Sequence, residues 1–157
     1  MQYRKSKPSD ASAIAKVTFD TWNSTYKGLI SERVLQKRSL NVLIQKWNER
    51  ISNLANKQII YVAENDSGNI IAFIWAGTEK INPVGNLLEL NSFEGELMAI
   101  YVLKEYQNKK IGSNLVFLVV NYLLSKGDIS MIVWVLKENP SKNFYKNLEQ
   151  YTKEITI

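Results

Sequence analysis

The stretch Ile111–Leu124 carries apolar residues on nearly every side of a helix, and this constrains the fold more than any other feature of the chain. Such a helix suits a buried, central place rather than a surface one. Strand-like runs flank it, Glu96–Leu103 before and Ile129–Leu136 after, so the region predicts a strand, a turn, a buried helix and a second buried strand. Tyr3-Arg4-Lys5-Ser6 reads as a short first strand, and Pro8-Ser9-Asp10 as a helix start with a polar cap. Ala11, Ile14, Ala15, Thr18 and Trp22 follow at helical spacing, Gly28 breaks the pattern, and Leu43, Trp47, Ile51 and Leu54 mark a second amphipathic helix. Gln58–Glu64 and Asn69–Ala76 are β-rich runs joined by Asn65-Asp66-Ser67-Gly68, an antiparallel hairpin. Glu79–Phe93, with Pro83 and Gly85, reads as a long loop. Asn139-Pro140-Ser141 begins a short helix to about Leu148, and the alternation Tyr151, Lys153, Ile155, Ile157 suggests a last strand. The order β-α-α-β-β-β-α-β-α-β belongs to the α/β (α+β) class, with a mixed sheet covered by helices.

The 157 residues are expected to form one domain, 1–157. The chain has no cysteine and no histidine. That removes thiolate nucleophiles, Ser-His-Asp triads, disulfides and the usual zinc ligands, so no metal is expected and carboxylate, tyrosine, lysine and backbone chemistry remain. Met1-Gln2-Tyr3-Arg4-Lys5 lacks the apolar stretch of a signal peptide, and no apolar run reaches about 18 residues. The expected location is the cytoplasm, without a membrane partner. The net charge of +5 comes from scattered lysines, which suit an anionic cofactor about as well as nucleic acid; a nucleic-acid role rests on charge alone and is not expected.

The junction Gln107-Asn108-Lys109-Lys110-Ile111-Gly112-Ser113 links the strand at 96–103 to the apolar helix. A helix start offers unpaired backbone N–H groups and a partial positive charge, which together bind phosphate. A plain turn with one close-packed glycine explains the same residues. Neither GxxxxGK nor GxGxxG occurs.

Taken together, these segments resemble the GNAT superfamily of N-acetyltransferases. Its phosphate motif, Gln/Arg-x-x-Gly-x-Gly/Ala, is similar to Gln107-x-x-Lys110-x-Gly112. Asp20-Thr21-Trp22-Asn23-Ser24-Thr25-Tyr26-Lys27-Gly28-Leu29-Ile30 resembles a start common in bacterial members, Gly95-Glu96-Leu97-Met98-Ala99-Ile100-Tyr101-Val102 the central strand, and Trp134-Val135-Leu136-Lys137-Glu138-Asn139 with Phe144-Tyr145 the closing motif. The resemblance runs from about residue 2 to 148. It implies a mostly antiparallel central sheet with helices on both faces, acetyl-CoA as co-substrate, and transfer of its acetyl group to a primary amine by direct attack on the thioester. The acceptor would be a small-molecule amine or a protein amino group. A catalytically weak member that binds acyl-CoA as a sensor or interaction module is the alternative.

Carried over by position, Ile100, Tyr101 and Val102 would bond the pantetheine arm through backbone groups, Gln107, Asn108, Lys109, Lys110, Ile111, Gly112 and Ser113 would form the pyrophosphate loop, and Asn139 would touch the thiol end. An amine of the lysine type is neutral in only about one molecule in ~2,500 at pH 7, so a base helps; Glu96 falls where some relatives carry one. A strand-end carboxylate, solvated or paired with lysine, is the plainer reading of Glu96. Tyr145 matches the family's acid, the donor to the departing thiolate, or simply packs the last helix on the sheet. Trp22 and Tyr26 line the acceptor pocket or belong to the core. Lys110 stands in place of the motif's first glycine. Either the backbone there has no need of positive φ, or the loop is weakened. Glu149 stands near a further glycine of the family, and no residues follow Ile157 for a seventh strand. A second copy covering that sheet edge, a homodimer, is expected.

Overall fold

Residues 1–28, 31, 39–78, 94–135 and 139–148 are described by the computed structural model of the chain. The first strand, β1 (Gln2–Lys5), leads through a single turn of 3-10 helix, Pro8–Asp10, into α1 (Ala11–Tyr26). Proline at the start of that turn has no N–H to leave unpaired, and the Asp10 carboxylate accepts from the Lys7 N–H at 2.7 Å. Asp10 also receives both terminal nitrogens of Arg4, at 2.7 and 3.0 Å, while Arg4 Nε donates to Glu64 at 3.0 Å. Burial alone would raise the Asp10 carboxyl; the bonds from Arg4 and Lys7 outweigh it and hold the group below its usual range. One guanidinium thereby fastens the sheet edge to the first helix.

The Ser39 hydroxyl caps α2 (Leu40–Ser52) by accepting from the Val42 N–H at 3.2 Å. β2 (Gln58–Glu64) and β3 (Ile70–Gly77) then form the expected antiparallel hairpin. Its turn closes because Asn65 Oδ1 accepts from the N–H groups of Ser67 and Asn69, and Gly68 takes φ = 79°, a region glycine enters without a Cβ clash. β4 (Gly95–Val102), α3 (Ile111–Ser125), β5 (Met131–Val133) and α4 (Lys142–Lys146) complete the described elements. The sheet runs β1-β2-β3-β4-β5, antiparallel except for the parallel pair β4–β5.

Alternation along β2 and β3 divides their side chains between two cores. Ile60, Val62, Phe73 and Trp75 meet Ile14, Val17, Trp47 and Ile51 of α1 and α2, whereas Ile59 and Ile74, joined by Leu97 of β4, meet Leu115, Val119 and Leu123 of α3. Each fully buried side chain of this size is worth about 1.5–3 kcal/mol. On the first face the Arg50 guanidinium stacks 4.6 Å from Trp47 and 4.2 Å from Trp75, which burial of both rings favours. The mixed, mostly antiparallel sheet with helices on both faces is therefore present.

α3 departs from the all-round burial that its composition predicts. One stripe is buried on the sheet, but Phe117 and Leu124 are 56% and 53% exposed, because a helix on a sheet can cover only the side that faces it. Among the described residues of the run Ile129–Leu136, β5 takes up 131–133, where the pairing with β4 lies. The loop expected at 79–93 and the strand expected at 151–157 lie outside the described residues. Among the described residues no helix is long and apolar enough to cross a membrane.

Candidate active site

β4 and β5 pair at Gly95↔Met131, Glu96↔Ile132 and Leu97↔Val133, and then part. β4 continues to Val102 with β3 alone as a described neighbour, and a register shift between Trp75 and Ala76 leaves Met98 outside the Ala99 and Leu97 pairings. A bulge of this kind adds local twist and turns a strand from its neighbour. The gap is a cavity of about 560 Å³, a size suited to small-molecule binding. Ile100, Tyr101 and Val102 form its β4 wall, and Val133, Trp134 and Val135 face them.

The loop after β4 forms one end. Gln107 Nε2 donates to the Val102 carbonyl at 3.0 Å, tying the loop to the strand. Asn108 and Lys110 both lie in the left-handed region, at φ = 59° and 61°. Asparagine enters that region readily, whereas for a lysine it costs about 1–2 kcal/mol. The positive φ that the motif's glycine would supply is thus adopted by a lysine. Lys110 is the N-cap residue of α3 and makes no side-chain capping bond, so the first N–H groups of the helix keep the capacity of an anion site. Gln107, Asn108, Lys110, Ile111, Gly112 and Ser113 all line the cavity. Lys109 does not; its ammonium lies 5.3 Å from the centre of the Tyr106 ring. A Cβ on Gly112 would stand 3.1 Å from Phe144 Cζ, so glycine here lets α4 approach the helix start.

The other end is aromatic. Trp22 Nε1 donates to the Tyr101 hydroxyl at 2.8 Å, the Trp22 and Tyr26 rings lie 4.5 Å apart, and Asn139 Nδ2 donates to the Tyr26 hydroxyl at 3.1 Å. Asn139 is itself held by the Ser141 N–H, at 2.8 Å to its Oδ1. These bonds run from the central strand through α1 to the segment after β5. Tyr145 lines the cavity beside them and is buried; burial first, then Tyr101 and Tyr26, pushes its phenol well above the ordinary tyrosine range. Such a phenol is neutral at neutral pH, and the burial that disfavours its phenolate also makes it a weaker acid than a solvated tyrosine.

Glu96 is 3% exposed on β4, opposite Gly77 and beside Ile132, and it does not belong to the cavity wall, although its neighbour Leu97 does. The geometry thus gathers every other sequence-derived position except Lys109. It adds Thr21 and Thr25 on α1, Trp134 after β5, and Phe144. Thr21 and Thr25 stand one turn apart, as Trp22 and Tyr26 do, and that shared spacing was a signal available in the sequence. Among the described residues no group of three or more His, Cys, Asp or Glu could hold a metal ion.

Residues 20–149 match the family model described as the acetyltransferase (GNAT) family. The chain is 33% identical over 143 residues to YuaI of Bacillus subtilis, described as an uncharacterized N-acetyltransferase; the match covers 91% of this chain and 76% of that protein. It is 25% identical over 154 residues to a spermidine N(1)-acetyltransferase of Thermoplasma acidophilum, covering 94% and 86% respectively. The crystal structure of the PaiA N-acetyltransferase from Thermoplasma acidophilum, in complex with coenzyme A, superposes with a TM-score of 0.69 at 25% identity, over 93% of this chain and 87% of the other.

Proposed function

The chain belongs to the GNAT family of acetyltransferases, and from that premise we propose how its residues divide the transfer of an acetyl group from acetyl-CoA to an amine. The observation that carries the reading is the parting of β4 from β5 over a cavity with the start of α3 at one end and a buried phenol in its wall. Asn108 to Ser113 hold the pyrophosphate through the free N–H groups at the start of α3, with Lys110 adding a positive charge. The open edge of β4 at Ile100 to Val102 bonds the pantetheine amides, and Asn139 stands near the thiol. Bound acetyl-CoA supplies the thioester carbonyl that an amine attacks.

In this scheme the new N–C bond forms as the C–S bond breaks. Tyr145 gives its proton to the departing sulfur as the amine's proton passes through water to Glu96, which stands next to the wall rather than in it, and return of that proton to the phenolate restores both groups. Trp22 and Tyr26 flank the acceptor, a small-molecule amine or a protein amino group. The Thermoplasma relative named for spermidine supports an amine acceptor of the first kind. A cytoplasmic location and a second copy against the β5 edge belong to the same reading.

Release of free thiol from acetyl-CoA with a panel of amines, in wild type and Tyr145→Phe, tests it. The variant is expected to lose about 10²-fold in kcat while its acetyl-CoA affinity stays unchanged. An unchanged kcat assigns Tyr145 to packing. A melting temperature unmoved by saturating acetyl-CoA would count against the cofactor site as a whole.

A further inference from the structure

Thr21 and Thr25 line the α1 end of the cavity together with Trp22 and Tyr26. One turn earlier Thr18 uses its hydroxyl locally, donating to the Ile14 carbonyl at 2.9 Å and accepting from Trp47 Nε1 at 3.1 Å, a common arrangement for a threonine inside a helix. Thr21 makes no such bond. Its hydroxyl is buried without a hydrogen-bond partner, and the residue as a whole is 6% exposed. Buried polar groups are rarely left in that state unless something absent completes them.

The same end of the cavity has a distinctive charge pattern. Among the described residues that line the cavity there is no Asp or Glu, whereas Trp22, Tyr26 and Tyr101 contribute three aromatic rings at this end. A polyamine entering here would give up water around several charges with no counter-charge in the described wall. An amine with a single charge on an apolar or aromatic body meets a different balance, because the body stacks on the rings and one ammonium is attracted to their faces. It then needs one polar acceptor.

We propose that the α1 end of the cavity is an acceptor subsite for a monoamine with an aromatic or apolar body, and that Thr21 Oγ1 accepts a hydrogen bond from its nitrogen. The proposal rests on the acetyl-transfer reading of the same cavity. Since the Thr21 hydroxyl has no hydrogen bond in the free protein, a rotation about χ1 that turns it toward the cavity breaks none. Thr21 is a positioning residue in this scheme, and it acts on the acceptor rather than on acetyl-CoA.

Steady-state kinetics with 2-phenylethylamine and with spermidine, in wild type, Thr21→Val and Thr21→Ser, test the proposal. Wild type is expected to favour 2-phenylethylamine in kcat/KM by about tenfold or more. Thr21→Val is expected to raise KM for that amine roughly three- to tenfold, with KM for acetyl-CoA and the melting temperature unchanged, and Thr21→Ser to restore it. Thr21→Ala is the second probe if valine disturbs α1. Preference for spermidine would overturn the subsite and leave acetyl transfer standing. An unmoved amine KM in Thr21→Val, or a rise in KM for acetyl-CoA instead, would also overturn it. Turnover of neither amine overturns the subsite too, and assay of other amine classes then shows whether acetyl transfer itself survives.

Discussion

At the β1 edge of the sheet, Arg4, Asp10 and Glu64 satisfy one another and the Asp10 carboxylate also caps the turn into α1. At the β4–β5 edge the arrangement is reversed: two residues other than glycine take left-handed conformations, the N-cap of α3 makes no side-chain bond, and the Thr21 hydroxyl is buried without a partner. The first edge is complete in the free chain. The second holds strain and unmet bonding capacity, which ligands can relieve and which cost stability until they do. The difference teaches where to look for function in this fold, since substitutions should damage stability at one edge and chemistry at the other.

The largest effect tests the functional edge. Glu96→Gln keeps the shape of the side chain and removes its proton acceptor, so kcat/KM at neutral pH is expected to fall by about 10²–10⁴. Much of the loss should return as pH rises toward the amine's own pKa, while cofactor affinity holds. A variant within about twofold of wild type, measured with chemistry shown to be rate-limiting, makes Glu96 a structural carboxylate and moves deprotonation to bulk water.

A smaller effect tests the structural edge. Asp10→Ala removes a cap and a charge-assisted pair, with an expected loss of about 2–3 kcal/mol in denaturant unfolding and no change in kcat. The pH dependence has a definite sign. Because the folded carboxyl lies below its unfolded value, its stabilisation is fully present above about pH 4 and is lost as pH falls through the folded pKa. Wild type and variant should therefore converge in acid. A gap that persisted there would assign the loss to packing rather than to the ion pair.

The smallest effect sets the two edges against each other at one residue. Lys110→Gly relieves the left-handed strain, so the free protein is expected to gain about 1 kcal/mol while acetyl-CoA binds two- to fivefold more weakly, roughly the worth of one exposed charge contact. Tenfold tighter cofactor binding in the variant would show that the lysine is merely tolerated there.

Local chemistry made much of this molecule legible. The hairpin at 58–77 follows from a turn sequence between two strand-like runs, and the turn into α1 from proline with an aspartate that reaches back to the chain before it; both depend on neighbours in the chain. The gathering of Trp22, Tyr26, Ile100, Gly112, Asn139 and Tyr145 around one cavity followed from resemblance, because positions this far apart leave no periodic signal. Three features stayed hidden for physical reasons. Composition does not say which stripe of α3 the sheet leaves open at Phe117 and Leu124. Lysine advertises no preference for positive φ, and a threonine at helical spacing looks the same whether or not its hydroxyl finds a partner.

The four tryptophans fall into two optical classes. Trp47 and Trp75 sit edge to face, 6.0 Å apart, under the Arg50 guanidinium and away from the cavity, whereas Trp22 and Trp134 stand in its wall. The first pair is expected to respond to unfolding rather than to occupancy of the cavity. The second changes its surroundings whenever the gap between β4 and β5 is filled, so the protein carries its own chromophores for occupancy and an internal reference against which to read them.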